Sequence, residues 1–285
     1  MTSSENRTIR ETTAVVHSQH KLTADILELV LNTDLAETAR PGQFVNLYCR
    51  DGARLLPRPI SISDAADGQL TLVYRVVGNG TAELSGLTPG ENVRLTGCLG
   101  NGYDLSAAAN KHAVLVGGGL GIPPMRFLAR ALNRQFSAGD QAPQSVTSVL
   151  GYRDQATVFL RGAFDAYGSV VTASDDGSVG LRGTAVDAIR AEDLPCDVLF
   201  ACGPMPMLRA LAQFAEKQRQ AGKDIRCYVS LEERMACGIG ACLGCVTKTT
   251  AVDEHSRVRN ARICVEGPVF DAEAIAWEPD TVRTR

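Results

Sequence analysis

Four cysteines in the last quarter of the 285-residue sequence have a spacing suited to hold iron and sulfide. Within "ACGIGACLGC", four residues separate Cys237 from Cys242 and two separate Cys242 from Cys245, and Cys264 follows after eighteen more residues. This is the plant-type spacing of a [2Fe–2S] cluster, whose two irons take four thiolate ligands. The intervening glycines and alanines leave room for a cluster and let backbone N–H groups turn toward its sulfurs.

A structural zinc site is the alternative, because four thiolates also satisfy tetrahedral Zn²⁺. Zinc ribbons usually pair two C-x2-C knuckles, whereas this motif contains one. The spacing therefore favours the cluster and leaves zinc open. Since a glycine-rich loop has no core to fill, we do not expect the four thiols to be there only for packing.

Two segments in the first third of the chain carry groups that suit a flavin. In "PRPISIS" (57–63), at the end of a predicted strand, Arg58 can pair with a phosphate and Ser61 can hydrogen-bond the edge of a planar ring. In "YRVVGNGT" (74–81), the glycines and Thr81 are suited to bring backbone N–H groups to a diphosphate. On its own the first segment is more typical of a surface loop, but together the two segments indicate a flavin site.

Two later segments carry groups that suit a nicotinamide nucleotide. "VLVGGGLGIPPM" (114–125) runs from an apolar strand through glycines into prolines typical of a first helical turn, where N–H groups receive a pyrophosphate. Its glycines depart from the strict G-x-G-x-x-G spacing, so tight packing also explains them. "FACGPMPM" (200–207) places a thiol at the carboxyl edge of a sheet, within reach of a nicotinamide. The expected nucleotide-binding residues are Gly117, Gly118, Gly119, Gly121, Cys202, Gly203 and Pro204.

The elements that must position these motifs change character near residue 110. The earlier part has short apolar segments at 25–31, 43–49, 69–77 and 91–98, separated by Pro-Gly and Asp-Gly turns, which predicts a small antiparallel Greek-key barrel. The later part alternates strands with helices, which predicts a doubly wound parallel sheet. The helices are expected over 123–136, 156–167 and 206–220.

From about residue 230 the periodicity fades, so we expect this segment to be held by something other than a packed core. The sequence thus predicts a flavin-binding barrel over 1–108, an α/β domain for a nicotinamide nucleotide over 109–229 and a cluster-binding segment over 230–285.

Composition limits the class of protein. A chain that is 45% hydrophobic and 21% charged can bury a core and build two domains. Nine cysteines, an odd number, and a polar start without an apolar run favour reduced thiols in a cytoplasm. With no bilayer-length apolar run and a net charge of −3 spread along the chain, we expect neither a membrane nor a nucleic-acid partner. The four histidines are scattered and form no catalytic constellation.

The motifs occur in the order found in the ferredoxin-NADP reductase superfamily. "SLEERMACGIGACLGC" and "CVEGPVF" narrow the likeness, and the sequence resembles the electron-transfer subunits of type B dihydroorotate dehydrogenases nearly throughout, to about Phe270. Related glutamate-synthase-like and sulfide-oxidoreductase subunits share the layout, but many are expected to have Asp where this chain has Cys237. Two departures are Cys98, where proline is expected, and a long segment before Cys264.

The resemblance implies FAD and one [2Fe–2S] cluster in this chain, with NAD as a transient substrate. It implies ligation of the cluster by the four cysteines of the motif, and it places Ser61 near the flavin N5 and Cys202 near the nicotinamide. The implied FAD-site residues are Arg58, Pro59, Ile60, Ser61, Val73, Tyr74, Arg75, Gly80 and Thr81. Arg153 and Asp154 leave the choice between NADP and NAD open at the level of residues, and the resemblance favours NAD.

The resemblance also implies a partner. A barrel subunit carrying FMN would oxidise dihydroorotate to orotate for pyrimidine synthesis, two copies of each subunit would form a heterotetramer, and electrons would run from FMN through the cluster and FAD to NAD⁺. A nicotinamide exchanges two electrons at once and a cluster passes one, so a flavin must stand between them. Two other hypotheses stay open: a stand-alone NAD(P)H-dependent reductase for another acceptor, and a zinc-stapled nucleotide-binding regulatory subunit.

Overall fold

A closed six-stranded barrel forms the N-terminal part of the computed structural model, which describes residues 9–136, 141–253 and 257–277. The barrel strands are β1 (Arg10–Lys21), β2 (Ile26–Asn32), β3 (Phe44–Leu47), β4 (Arg58–Ala66), β5 (Gln69–Arg75) and β6 (Asn92–Leu99), and a short helix, α1 (Asn79–Leu84), follows β5. All pairings are antiparallel, in the order β1-β2-β5-β4-β3-β6. Because β2 pairs with β5 and not with β3, the connections are of the Greek-key type. The predicted barrel is confirmed.

Alternation along the strands closes the barrel around an apolar interior. Leu29 and Leu31 of β2, Leu47 of β3 and Leu70 and Leu72 of β5 are all fully buried in one cluster. Their spacing of two residues puts them on one face of each strand, which leaves the other face free to meet the sheet and the cofactor-binding segments.

The rest of the chain builds a seven-stranded sheet with helices on both faces. Its elements are β7 (His112–Gly118), α2 (Ile122–Phe136), β8 (Ser145–Tyr152), β9 (Ser169–Ser174), β10 (Leu181–Arg182), α3 (Ala185–Ala191), β11 (Val198–Cys202), α4 (Met205–Gln220), β12 (Arg226–Ser230) and β15 (Val269–Asp271). The strand order in the sheet is β10-β9-β8-β7-β11-β12-β15. The first six strands in this order are parallel to one another. Since α2 packs on one face and α3 and α4 on the other, the doubly wound sheet is confirmed.

The helix expected over 156–167 is wrong. The chain there makes two short 3₁₀ turns, Gln155–Thr157 and Arg161–Phe164, separated by Leu160 at φ 56°. A leucine in the left-handed region interrupts any α-helix. The apolar residues that suggested a helical face serve instead to anchor the turns, because Phe164 is fully buried under the sheet.

The expectation that the last segment lacks a packed core is also wrong in part. After a small hairpin of β13 (Val246–Lys248) and β14 (Asn260–Arg262), the chain returns as β15, antiparallel to β12. Ile263, Cys264 and Ile275 are buried in the same cluster as α3 and α4. The segments that make these contacts are too short and irregular to produce a periodic pattern in the sequence.

The two proposed domain boundaries can be compared with the ends of the strands. β6 ends at Leu99 and β7 begins at His112, so the proposed boundary after residue 108 lies between them, and the boundary after 229 meets the last residue of β12. Residues 1–8 and 278–285 of the first and third proposed domains, and 254–256 of the long segment before Cys264, lie outside the described residues. Among the described residues, no helix is both long enough and apolar enough to cross a bilayer.

Candidate redox centre

A cavity of about 310 Å³ opens where the outer face of the barrel meets the beginning of the C-terminal segment. Eight of the nine residues expected around a flavin line it: Arg58, Pro59, Ile60, Ser61, Val73, Tyr74, Arg75 and Thr81. The opposite wall comes from Leu120, Ser230, Leu231, Glu232, Glu233, Met235 and Pro268. Two motifs separated by ten residues in the sequence therefore share one cavity with a third part of the chain.

Strand pairing explains how the "RPIS" motif reaches the cavity. The motif begins β4 and does not end a strand as the sequence suggested. In the β3–β4 register Phe44 pairs with Ser61, and both line the cavity. Pairing with β3 thus holds the Ser61 side chain on the outer face of the barrel, away from the apolar interior.

A cation lies at one end of this cavity. The Arg58 guanidinium packs so closely on Gly80 that a Cβ at that position would overlap it. The Thr81 hydroxyl accepts from the backbone N–H of Val77 at 2.9 Å and of Gly78 at 3.2 Å, which shapes the turn between β5 and α1. A guanidinium beside a glycine turn is a suitable place for a diphosphate.

The remainder of the cavity is largely apolar. Val73 and Tyr74 of β5 line it together with Leu231 and Met235. Tyr74 is buried, which raises its pKa, and its hydroxyl donates to Gln19 Oε1 at 2.9 Å. Apolar walls for a planar ring and a cationic end for phosphates fit a flavin dinucleotide.

Sequence reasoning missed the two carboxyl groups in this cavity, Glu232 and Glu233. Glu232 is open to solvent on one side, yet the protein around its carboxyl desolvates it and raises its pKa. The "SLEERM" run contains both residues, but acidic residues in such a run are usually solvated, so the sequence alone does not single them out.

The glycine-rich turn after β7 is built mainly for close packing. An ideal Cβ would lie 2.8 Å from Ile122 Cα at Gly117 and 2.7 Å from Met207 Sδ at Gly118, and it would overlap the Cys202 carbonyl at Gly121. Gly119 differs, because it has φ 53° and open space around it. Of the four glycines in this turn, Gly119 is therefore the one at which a ligand can approach the backbone.

The second nucleotide segment follows β11. Gly203, at φ 152°, is packed against the Gly118 backbone, so the two segments meet at the carboxyl edge of the sheet, with Pro204 leading into α4. Cys202 itself is 1% exposed, and burial, with a smaller contribution from Glu232, raises the pKa of its thiol. The structure therefore does not bring this thiol to the surface where a nicotinamide was expected to touch it.

The residues expected to discriminate NAD from NADP are paired with each other. Arg153 Nε lies 3.3 Å from Asp154 Oδ2, and Asp154 Oδ1 accepts from the Thr157 N–H at 3.0 Å. The carboxylate is thus partly engaged in holding the turn after β8.

The four cysteines of the motif lie in two pairs. Cys237 Sγ is 3.3 Å from Cys242 Sγ at the exposed side of the loop. Cys245 and Cys264 are buried beneath them, joined by the Ile263 N–H, which donates to the Cys245 carbonyl at 2.8 Å. Within the described ranges no three His, Cys, Asp or Glu side chains surround one common ion position.

One cysteine of each pair has a shifted pKa, and the two shifts are in opposite directions. Burial opposes ionisation of Cys237, but N–H groups of the loop, including those of Ile239 and Cys242, outweigh it and lower its pKa to about 7. Burial, together with the neighbouring Cys245 thiol, raises the pKa of Cys264 to about 12. Four thiols in one loop region, with backbone amide donors turned toward Cys237 and Cys264, form a donor set that suits an iron–sulfur cluster.

The cysteine loop rests on both the barrel and the hairpin. Gly238 has φ 69° and packs against Asn46 of β3, whose Nδ2 donates to the Cys237 carbonyl at 3.0 Å. Gly240 has φ 87° and packs against Val265. Glycine is required at both positions because any side chain would meet a neighbour in a left-handed conformation.

Comparison with known proteins gives consistent results. A family model described as the iron-sulfur cluster binding domain of dihydroorotate dehydrogenase B matches residues 232–276. The electron transfer subunit of dihydroorotate dehydrogenase B (NAD(+)) from Geobacillus kaustophilus is 43% identical over 262 residues, which cover 90% of this chain and 95% of that protein. The same subunit from Streptococcus pneumoniae is 38% identical and covers 92% and 97%.

Solved structures show the same fold. An NADH-dependent reduced ferredoxin-NADP oxidoreductase studied for flavin-based electron bifurcation has a TM-score of 0.76 at 26% identity, over 93% of this chain and 90% of that one. A ferredoxin NADP⁺ reductase from Neisseria gonorrhoeae with bound FAD and NADP has a TM-score of 0.60 at 14% identity, over 73% and 91%.

Barrel, doubly wound sheet and cysteine-rich segment together define an oxidoreductase of the ferredoxin-NADP reductase fold. With 38–43% identity over about nine-tenths of its length, the chain belongs to the family of electron-transfer subunits of NAD⁺-dependent dihydroorotate dehydrogenase B. Family membership implies a catalytic partner subunit.

The first prediction concerns Arg58. Removing its charge as Arg58→Ala should weaken FAD binding by about tenfold to a hundredfold, because a charge-assisted hydrogen bond contributes about 1.5–3 kcal/mol. Arg10→Ala is the matched control, since it removes an exposed barrel arginine paired with Asp34 outside the cavity. Equilibrium FAD titration of the apoprotein and chemical unfolding measure the two effects. Equal FAD affinity in the two variants would argue against the site.

The second prediction concerns Gly119. Gly119→Val should raise the KM for NADH by about tenfold or more, because a branched side chain would fill the space through which a phosphate reaches the backbone. Gly68→Val is the control, since Gly68 has φ 73° and open space in the β4–β5 turn. Dye-linked NADH oxidation gives the KM, and the flavin spectrum should stay intact in both variants. Loss of FAD from the Gly119 variant alone would assign the turn to the flavin site instead.

Proposed function

We propose that this chain carries electrons between an FMN-containing catalytic subunit and NAD⁺, through a [2Fe–2S] cluster and FAD that it binds itself. The observation that supports this most strongly is the shared wall between the two sites. Met235 lines the flavin-type cavity, and two residues further on Cys237 opens the cysteine loop. Carriers held in these places would be close neighbours within one subunit.

The chemistry of the carriers requires this arrangement. FAD, when bound, interconverts the two-electron hydride exchange of a nicotinamide and the one-electron steps of a cluster. The chain's own residues hold and orient the groups. Arg58 and the Gly80–Thr81 turn would bind the diphosphate, and Ser61 would face the ring edge near N5.

The cysteine loop would hold the cluster through Cys237, Cys242, Cys245 and Cys264. N–H groups that lower the pKa of Cys237 also stabilise thiolate charge, so they favour the ligating form of that residue. Burial and the neighbouring Cys245 thiol raise the pKa of Cys264, so this residue would need the irons to become a thiolate.

The partner would perform the pyrimidine chemistry. We propose that a barrel subunit with FMN oxidises dihydroorotate to orotate in the cytoplasm during pyrimidine synthesis, with two copies of each subunit in the complex. Nine free cysteines are compatible with a reducing compartment. The family name of the relatives supports NAD as the nicotinamide substrate.

The third prediction separates this function from that of a stand-alone reductase. In the reconstituted complex, Cys264→Ser should abolish dihydroorotate-dependent NAD⁺ reduction, because those electrons must cross the cluster. NADH oxidation by dyes that accept from FAD should continue at near wild-type rate. Cys196→Ser is the control, since Cys196 is a free cysteine before β11 and outside the motif. Wild type and control should contain two iron and two sulfide per chain.

The same experiment shows which outcomes contradict the proposed function. If the Cys264 variant assembles, retains both flavins and still couples dihydroorotate to NAD⁺, the cluster is not on the path. Stoichiometric zinc in anaerobically prepared wild type would favour the regulatory alternative. If no FMN subunit binds the wild-type chain, the stand-alone reductase is the better description.

A further inference from the structure

One buried amide connects the two candidate sites. Asn46 lies in β3 and is 0% exposed, and its Nδ2 donates to the carbonyl of Cys237 at 3.0 Å. Its partner in the β3–β4 register is Pro59, which lines the flavin-type cavity, as does Phe44 two residues earlier on the same face. Asn46 is thus adjacent to the wall of one site and hydrogen-bonded to the first ligand residue of the other.

This amide is not placed for stability alone. No described residue donates to its buried Oδ1. An unsatisfied buried polar atom costs about 1–3 kcal/mol, which an apolar side chain of similar volume would avoid. The cysteine loop also packs tightly against Asn46, because a Cβ at Gly238 would lie 2.5 Å from Asn46 Nδ2.

We propose that Asn46 is a positioning residue that fixes the cysteine loop against the flavin cavity and so sets the rate of electron transfer between FAD and the cluster. The inference rests on the proposed function. The Nδ2–H···O=C bond, with the close contact between Asn46 and Gly238, holds the Cys237 end of the loop against the strand whose residue Phe44 lines the cavity. Without that bond the loop is free to shift relative to the cavity, and the rate of electron transfer depends steeply on the distance between the two carriers.

A second asparagine provides a matched comparison. Asn101, which follows β6, also clamps the C-terminal segment to the barrel: its Nδ2 donates to the carbonyls of Glu266 at 2.9 Å and Val269 at 2.7 Å. Its Oδ1 accepts from the Val269 N–H at 3.0 Å. Asn101 therefore attaches the same segment with more hydrogen bonds, but at its return to the sheet and not at the cysteine loop.

The experiment compares Asn46→Leu with Asn101→Leu in the FAD- and cluster-loaded chain. NADH is mixed anaerobically with each protein; it transfers a hydride to FAD and leaves as NAD⁺, and one of the two electrons then passes to one ferric iron of the cluster while the other remains on the flavin. Stopped-flow absorbance follows flavin and cluster reduction separately. Asn46→Leu should slow cluster reduction about tenfold or more and leave flavin reduction by NADH unchanged. Asn101→Leu should change neither rate, although it lowers the free energy of unfolding.

Two further readouts keep the test decisive. Iron and sulfide content should stay at the wild-type level in Asn46→Leu, while the electron paramagnetic resonance spectrum of its reduced cluster should change. If Asn46→Leu does not fold, Asn46→Ser removes the amide without adding volume at this buried position and should give the same rate effect. Unchanged cluster reduction and an unchanged spectrum in a folded Asn46 variant would overturn the inference. Equal slowing by Asn101→Leu would do so as well. Absence of cluster reduction in wild type would instead refute the proposed function.

Discussion

The return of the chain to β12 is the constraint on which the candidate redox centre depends. The C-terminal segment leaves the sheet after Ser230 and comes back as β15, where Val269 pairs with Ser230 itself. A loop of nearly forty residues therefore starts and ends at one point of the sheet, and that point borders the flavin-type cavity through Leu231 and Pro268. Both ends of the segment that carries the four cysteines are thus fixed beside this cavity, and Asn46 of the barrel holds the Cys237 carbonyl. Ladder hydrogen bonds and burial of Ile263 thus determine where a cluster would lie.

In the rest of the site, charged and polar groups are placed for ligands, and most glycines are placed for close packing. Arg58 supplies the cation at the glycine turn, whereas the amides of the cysteine loop supply partial positive charge around Cys237. Most glycines in the nucleotide turn serve close packing between β7, β11 and their helices. The ligand-binding task is left to a few positions with open space, of which Gly119 is one.

How much of this could be predicted from the sequence depended on whether a feature is local. The barrel, the parallel sheet and the α4 helix follow from periodicity, and the four residues of the short "RPIS" motif line one cavity with Thr81 of the "GNGT" motif. The helix over 156–167 was wrong because the left-handed Leu160 has no signature in the sequence. Asn46 was missed because its importance depends on contact with Cys237, which is 191 residues away. The burial of Cys264 was missed for the same reason.

Anaerobic titration of the purified chain with NADH, followed by electron paramagnetic resonance, tests the central claim that one subunit joins nicotinamide, flavin and cluster. The account predicts that the signal of a reduced [2Fe–2S] cluster appears in the FAD-loaded chain and is absent from chain stripped of FAD, and that it returns when FAD is restored. An equal signal in the stripped chain, or none in the loaded chain, would contradict it.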